Sequence, residues 1–186
     1  MNKPQFSLPI RNSVTNYHTN QKAILTSIDS SFEIVESQLE DIVKICNQDG
    51  VYDWLFNVNL EGNAYTLEKA QSFADHCQKS WDEMSSFKFW LLEDKRVVAA
   101  LDIKSDNLES AEVGYWADAN TPGYMTNALN ELCNIASAAG YRSLYTLIRP
   151  ANIASRNLAE RAGFDYQGYI KENDKKYCKY TRTLTS

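Results

Sequence analysis

Two stretches of this 186-residue chain carry the residue types needed to hold an anion. The first is Thr121-Pro122-Gly123-Tyr124-Met125-Thr126; the second is Pro150-Ala151-Asn152-Ile153-Ala154-Ser155. Each follows an alternating apolar run and opens a run with helical spacing. A helix start leaves backbone N–H groups without partners and presents the positive end of the helix dipole, so it attracts phosphate or carboxylate. Thr121 and Asn152 are the expected N-caps, with Pro122 in the first helical position. Caps of this kind stand at most strand–helix junctions and bind nothing. Two of them, both at carboxyl ends of strands, are what point to a ligand, because ligands collect there in α/β sheets.

Other chemistry finds little support. His18 and His76 are the only histidines, and His76 adjoins Cys77 in a helical run, where neighbouring residues do not face each other. The four cysteines, Cys46, Cys77, Cys133 and Cys178, are widely spaced, which argues against zinc and against a disulfide framework and fits a reducing cytoplasm. A net charge of −5 argues against a broad nucleic-acid footprint. The longest apolar run, Val97 to Leu101, is far short of a membrane span.

The elements that must position the two junctions follow from periodicity. Residues 1–31 are polar and read as an N-terminal arm, with a short strand at Ala23 to Ile28 as its one regular element. Phe32 to Glu36 alternates and predicts a strand. Leu39, Ile42, Val43 and Cys46 share a helical face, and Gly50 is the expected stop. Val51 to Phe56 reads as a turn or short helix. Thr66 caps a long helix running to Met84. Strands are expected at 87–92, 96–103 and 111–117, then a helix opened at Thr121-Pro122 and ended by Gly140. A strand at 142–149, a helix from Asn152 to Ala162 stopped by Gly163, and a hairpin of 164–170 with 176–183 complete the chain. The order β-α-α-β-β-β-α-β-α-β-β predicts an α/β (α+β) fold, a central mixed twisted sheet of six to seven strands flanked by helices, with residues 32–186 as one domain.

Both junctions resemble one known family. Tyr115-Trp116 with Gly123-Tyr124-Met125-Thr126-Asn127-Ala128 is similar to the coenzyme A loop and helix of the GNAT N-acetyltransferases. Asn152-Ile153-Ala154-Ser155-Arg156, continuing to Gly163-Phe164, is similar to the same family's second signature: an Asn, a Ser three residues on, and Gly-Phe ending the helix. The nearest branch is the RimJ/RimL type, which acetylates the N-terminal amines of ribosomal proteins and has relatives with other amine substrates.

The resemblance implies acetyl-coenzyme A as the acyl donor and an amine, on a peptide N-terminus or a small molecule, as acceptor. It implies a V-shaped gap between strands at 112–117 and 144–149. Backbone groups of Trp116 and Ala117 would pair with the pantetheine arm, and Thr121 to Met125, with Thr126 behind, would hold the pyrophosphate. Asn152 would bond the pantetheine. Ser155 would lie near the sulfur as proton donor, with Tyr169 in reserve, although Ser155 reads equally as the third residue of a capped helix. Arg156 and Arg149 are candidates for the phosphates. An α-amine needs only a weak base, and Glu112 is the candidate, or else a solvated strand residue. Dimers are common in the family, so a homodimer is a further expectation.

The chain also departs from the family. The loop Asp118-Ala119-Asn120-Thr121-Pro122-Gly123 is about two residues short, Pro122 lacks an N–H, and an inward Asp118 would repel phosphate. Gln167 stands where several members carry a Glu assigned as the base, and an amide cannot take that proton. The alternative expectation is therefore a domain with a degenerate loop that serves as a non-catalytic interaction module.

Overall fold

The computed structural model describes residues 3–184. Eight strands and six helices follow in the order β1 (Arg11–Thr15), β2 (Lys22–Ser27), α1 (Glu36–Cys46), α2 (Asp49–Leu55), α3 (Asn57–Leu60), α4 (Leu67–Asp82), β3 (Phe87–Glu93), β4 (Arg96–Ile103), β5 (Ala111–Ala117), α5 (Met125–Ala138), β6 (Ser143–Ile148), α6 (Ile153–Arg161), β7 (Asp165–Glu172) and β8 (Lys175–Thr183). One sheet has the spatial order β1-β2-β3-β4-β5-β6-β8-β7. All described pairs are antiparallel except β5 with β6, which α5 joins as a crossover.

The sheet is larger than the six to seven strands expected, because the segment read as an arm supplies two of them. Only Val14 of β1 is buried, whereas β2 buries Ala23, Leu25, Thr26 and Ser27. An edge strand with one apolar residue inside and polar ones outside carries almost no alternation to detect. The expected strand at Phe32–Glu36 does not form. Gln78 Nε2 donates to the carbonyls of Asp29 (3.2 Å) and Phe32 (2.8 Å), and Gln38 Oε1 accepts from Val35 N–H at 3.2 Å. Side chains thus take the backbone groups that a ladder would have used, and the apolar residues of the segment still pack, with Phe32 edge-on to Trp90 at 5.7 Å. Gly50 does not stop a helix either; it lies inside α2.

Of the remaining elements, α4 and the β3–β4 hairpin stand where their local signals put them. Thr66 caps α4 by accepting from Lys69 N–H at 3.4 Å, and Asp94 and Lys95 turn the β3–β4 hairpin with φ of 47° and 71°. Two apolar layers sandwich the sheet. One joins α1 and α4 to Trp90, Val97 and Ala100; the other joins α5 and α6 to Leu101, Val113, Leu144 and Cys178. All four thiols are buried, and burial pushes Cys46 and Cys77 up to about 12 and Cys133 to about 11. Among the described residues no helix is long and apolar enough to cross a membrane.

Candidate active site

The site begins with an incomplete strand pair. β5 and β6 are in register only at Ala111–Leu144 and Glu112–Tyr145, then part, although β5 continues to Ala117 and β6 to Ile148. The backbone of β5 beyond Glu112 therefore has one open edge. Lys104 N–H donates to Glu112 O at 2.9 Å and Asp118 N–H to Val98 O at 2.8 Å, so the even-numbered residues of β5 bond to β4. By the two-residue period, Tyr115 and Ala117 turn their N–H and C=O toward the gap. Trp116, expected there through its backbone, points that backbone at β4, although the residue still borders the gap.

Two lobes open from this gap. One, about 240 Å³, is bounded by Trp116, Ala117, Met125, Ala154, Leu158 and Arg161. The other, about 330 Å³, is bounded by Lys104, Glu112, Arg149, Glu172, Lys175 and Tyr177. Both are lined by Tyr115, Asn152 and Ser155, and by Trp54 and Leu55 of α2, so these five form a waist between the lobes.

Asn152 caps α6, its Oδ1 accepting from Ser155 N–H at 3.1 Å. That bond fixes the first turn and presents the Ser155 hydroxyl, which lies 2.9 Å from Tyr115 Oη. Burial raises the Tyr115 phenol above its ordinary value of 10, although hydrogen bonds with Ser155 and Thr146 pull the other way, so it holds its proton through neutral pH.

The other junction differs from expectation. α5 starts at Met125, not at Thr121-Pro122, and its N-cap, Tyr124, contributes no side-chain bond. Thr121 has no donor to spare: its N–H goes to Asp118 O at 3.1 Å and its hydroxyl to Asp118 Oδ2 at 2.9 Å. Asp118 also accepts from Gln48 Nε2 at 2.7 Å and Asn120 N–H at 2.9 Å. Burial pushes its carboxyl up, and these hydrogen bonds outweigh burial and hold it below the ordinary value of 3.8. Asp118 is thus an ionised carboxylate turned onto Gln48 and its own loop.

Beyond it, the N–H groups of Gly123, Tyr124, Met125, Thr126 and Asn127 meet no acceptor among the described residues. Five free donors at an uncapped helix start fit a phosphate group. The Tyr124 side chain is buried with its hydroxyl on Glu93 at 2.7 Å, so Tyr124 offers only its backbone. Gly123 is required by its φ of +108° and by Asn16, whose Oδ1 would lie 2.2 Å from an added Cβ.

Four expected side chains are elsewhere or otherwise engaged. Tyr169 pairs in register with Cys178 on the α6 side of the sheet, is 56% exposed and stacks under Lys176; it borders neither lobe, and Tyr115 stands beside Ser155 in its place. Arg156 gives its Nε to Tyr180 Oη at 3.0 Å and a terminal nitrogen to Pro150 O at 3.3 Å. Arg161, not singled out from the sequence, borders the smaller lobe with Nε 3.4 Å from Thr126 Oγ1. It lies seven residues after Ala154, two helical turns along one face, and that spacing was the available signal. Arg149 borders the larger lobe and not the loop before α5. Glu112 does border the gap, but its Oε1 holds Lys104 Nζ. Burial alone would lower the Lys104 pKa; the hydrogen bond and charge of Glu112 outweigh it and raise it.

A family model for the acetyltransferase (GNAT) domain matches residues 33–165. The chain belongs to the GNAT acetyltransferase family. It is an N-acetyltransferase by this membership, and acetyl-coenzyme A is the acyl donor. No curated protein sequence matches it. Among solved structures it is similar to Mycobacterium smegmatis RimJ in complex with a CoA disulfide, at 16% identity and a TM-score of 0.73, covering 93% of this chain and 86% of that one. It is similar also to a Salmonella typhimurium acetyltransferase that modifies the N-terminal serine of a 50S ribosomal subunit protein, at 16% identity and a TM-score of 0.71, covering 88% and 95%. The GNAT domain of S. lividans PAT matches at 14% identity with a TM-score of 0.69, covering 94% and 97%. At such identities the likeness establishes the fold and places this chain with the GNAT architecture.

Proposed function

We propose that this GNAT domain acetylates a primary α-amine, on a peptide N-terminus or a small molecule, with the donor in the smaller lobe and the acceptor in the larger. The observation that supports this most is the shared waist: Tyr115, Asn152 and Ser155 border both lobes where β5 and β6 part. When bound, acetyl-coenzyme A supplies an acetyl group activated as a thioester.

The chain's own groups then have distinct tasks. Tyr115 and Ala117 offer open-edge backbone groups that can hold an amide-bearing arm as an added strand. Gly123, Tyr124, Met125 and Thr126 offer N–H groups for the pyrophosphate, and Arg161 adds a cation at the same end. Asn152 positions Ser155. The Ser155 hydroxyl supplies a proton at the waist to the leaving sulfur, the Tyr115 hydroxyl, 2.9 Å away, replaces it, and the proton lost by the acceptor amine returns to Tyr115 through solvent. Trp54 and Leu55 give the waist an apolar wall.

Base strength favours an α-amine. Glu112 is held by Lys104, and Gln167, an amide, donates to Asp165 O at 3.2 Å. An α-amine, with an ordinary pKa of about 7.7–8.0, is largely neutral at mildly alkaline pH, whereas a lysine at about 10.4 needs a strong base. The non-catalytic alternative is disfavoured, because the short loop still leaves its donors free. Four buried, unpaired thiols fit the cytoplasmic setting expected from the sequence.

The test is release of free coenzyme A thiol from acetyl-coenzyme A, followed with α-amine and lysine-side-chain acceptors at pH 8. Acceptor-dependent release with α-amines supports the reading. Binding of acetyl-coenzyme A without release for any amine would favour an interaction module.

A further inference from the structure

The larger lobe carries a charge that its own pairings leave unmatched. Besides Arg149, it is bordered by Lys104, Glu112, Glu172 and Lys175. Lys104 and Glu112 form an ion pair. Glu172 and Lys175 are register partners across the β7–β8 turn. Arg149 is left over. It joins no ion pair among the described residues, and its Cζ lies 5.6 Å from the centroid of the Tyr177 ring. Two residues beyond Tyr177, on the same face of β8, Lys179 Nζ lies 4.7 Å from the centroid of Tyr145, again without an ion-pair partner among the described residues. The whole chain has 24 acidic and 19 basic residues, so a local excess of cations runs against its composition.

Resting on the acetyltransferase reading, we infer that the acceptor is a primary amine that also carries an anionic group, a carboxylate or a phosphate, bound by Arg149. A guanidinium offers two parallel N–H groups that match the oxygens of such a group. The Tyr177 ring backs the guanidinium and limits its rotamers, which lowers the ordering cost on binding. Arg149 directly precedes the α6 junction, so an anion held there places the amine of the same molecule toward Ser155. Lys179 extends the positive field outward along β8. A cationic acceptor would meet repulsion from both. The same chemistry can come from acidic residues next to a peptide N-terminus or from a small amino acid or aminoalkyl phosphate.

The experiment compares kcat/KM for peptides beginning Ser-Asp-Asp, Ser-Asn-Asn and Ser-Lys-Lys, and for phosphoethanolamine against ethanolamine, at low salt. The acidic member of one series is expected to exceed its neutral counterpart about tenfold, or about 1.4 kcal/mol. Which series shows it identifies the source of the anion. The gap should narrow as salt shortens the Debye length. Arg149→Glu should reverse the order of the acidic and basic peptides while acetyl-coenzyme A affinity and Tm stay unchanged. Equal rates, a preference for Ser-Lys-Lys, or an acidic preference that survives Arg149→Glu would overturn the inference and leave the acetyltransferase reading intact. Failure of acetyl-coenzyme A to bind would overturn that reading and the inference with it.

Discussion

Tyr115 Oη and Ser155 Oγ lie 2.9 Å apart at the waist of the cleft, one from the open edge of β5 and one from the first turn of α6. The pair comes together because Asn152 fixes that turn and because β5 and β6 part beside it. If Ser155 supplies the proton and Tyr115 replaces it, their removal should act on turnover and spare binding. Ser155→Ala is expected to lower kcat about 100-fold and Tyr115→Phe about tenfold, with the dissociation constant for acetyl-coenzyme A within about twofold of wild type. Burial holds the phenol above 10, so wild-type turnover should fall on the alkaline side only above that pH, and Tyr115→Phe should lose that limb. Steady-state rates and calorimetric titration check both; a loss confined to binding would refute the assignment.

Arg161 and Arg156 separate the structure from the sequence signature. Arg161 borders the smaller lobe, whereas Arg156 is held by Tyr180 and Pro150. Arg161→Ala should weaken acetyl-coenzyme A binding about tenfold, or about 1.4 kcal/mol, with a shallower salt dependence. Arg156→Ala should leave affinity within about twofold. The reverse ranking in a calorimetric titration would return Arg156 to the phosphate site.

Gly123 is a structural residue as well as a donor. Its φ of +108° and the 2.2 Å approach of Asn16 Oδ1 to an added Cβ make Gly123→Ala costly. A loss of about 1–3 kcal/mol is expected in urea unfolding. Because Asn16 forms half of the clash, Asn16→Ala combined with Gly123→Ala should cost less than the sum of the two single changes. Strict additivity would show that backbone strain alone is responsible.

Asp118 organises the loop before α5. Its three donors make Asp118→Asn destabilising by about 1–2 kcal/mol at neutral pH. The folded-state pKa lies below the unfolded value of 3.8, so the contribution is present above 3.8 and is lost as pH falls through the lower folded value. Wild type and variant should therefore differ in urea midpoint from pH 5 upward and converge in acid. A constant difference at all pH values would contradict the hydrogen-bonded carboxylate.

Signals confined to one turn of chain were readable in the sequence. Asn152 with Ser155 three residues on, Gly163 after α6 and Thr66 before α4 act within their own segments, and their structures match. Features that depend on distant partners were not. Tyr115 and Ser155 are 40 residues apart. Gln78 satisfies carbonyls nearly 50 residues before it, and that long-range bond, invisible to periodicity, turned an alternating strand pattern into a loop. Thr121 looked like a cap because Pro122 followed it, yet Asp118 captures its hydroxyl first. Tyr169 and Tyr177 lie on opposite faces of the hairpin: Asn173 and Asp174, with φ of 48° and 58°, make a two-residue turn that pairs Tyr169 with Cys178 and puts Tyr177, not Tyr169, on the cleft side. The hairpin was legible; which of its faces met the cleft was not, because it depends on β8 inserting between β6 and β7.

The most direct measurement is the structure of the chain with acetyl-coenzyme A. The account predicts the thioester at the waist beside Ser155, the pantetheine arm bonded to the backbones of Tyr115 and Ala117, and the pyrophosphate on the N–H groups of Gly123 to Thr126. Density for the donor outside the gap between β5 and β6, or none at saturating concentration, would contradict it.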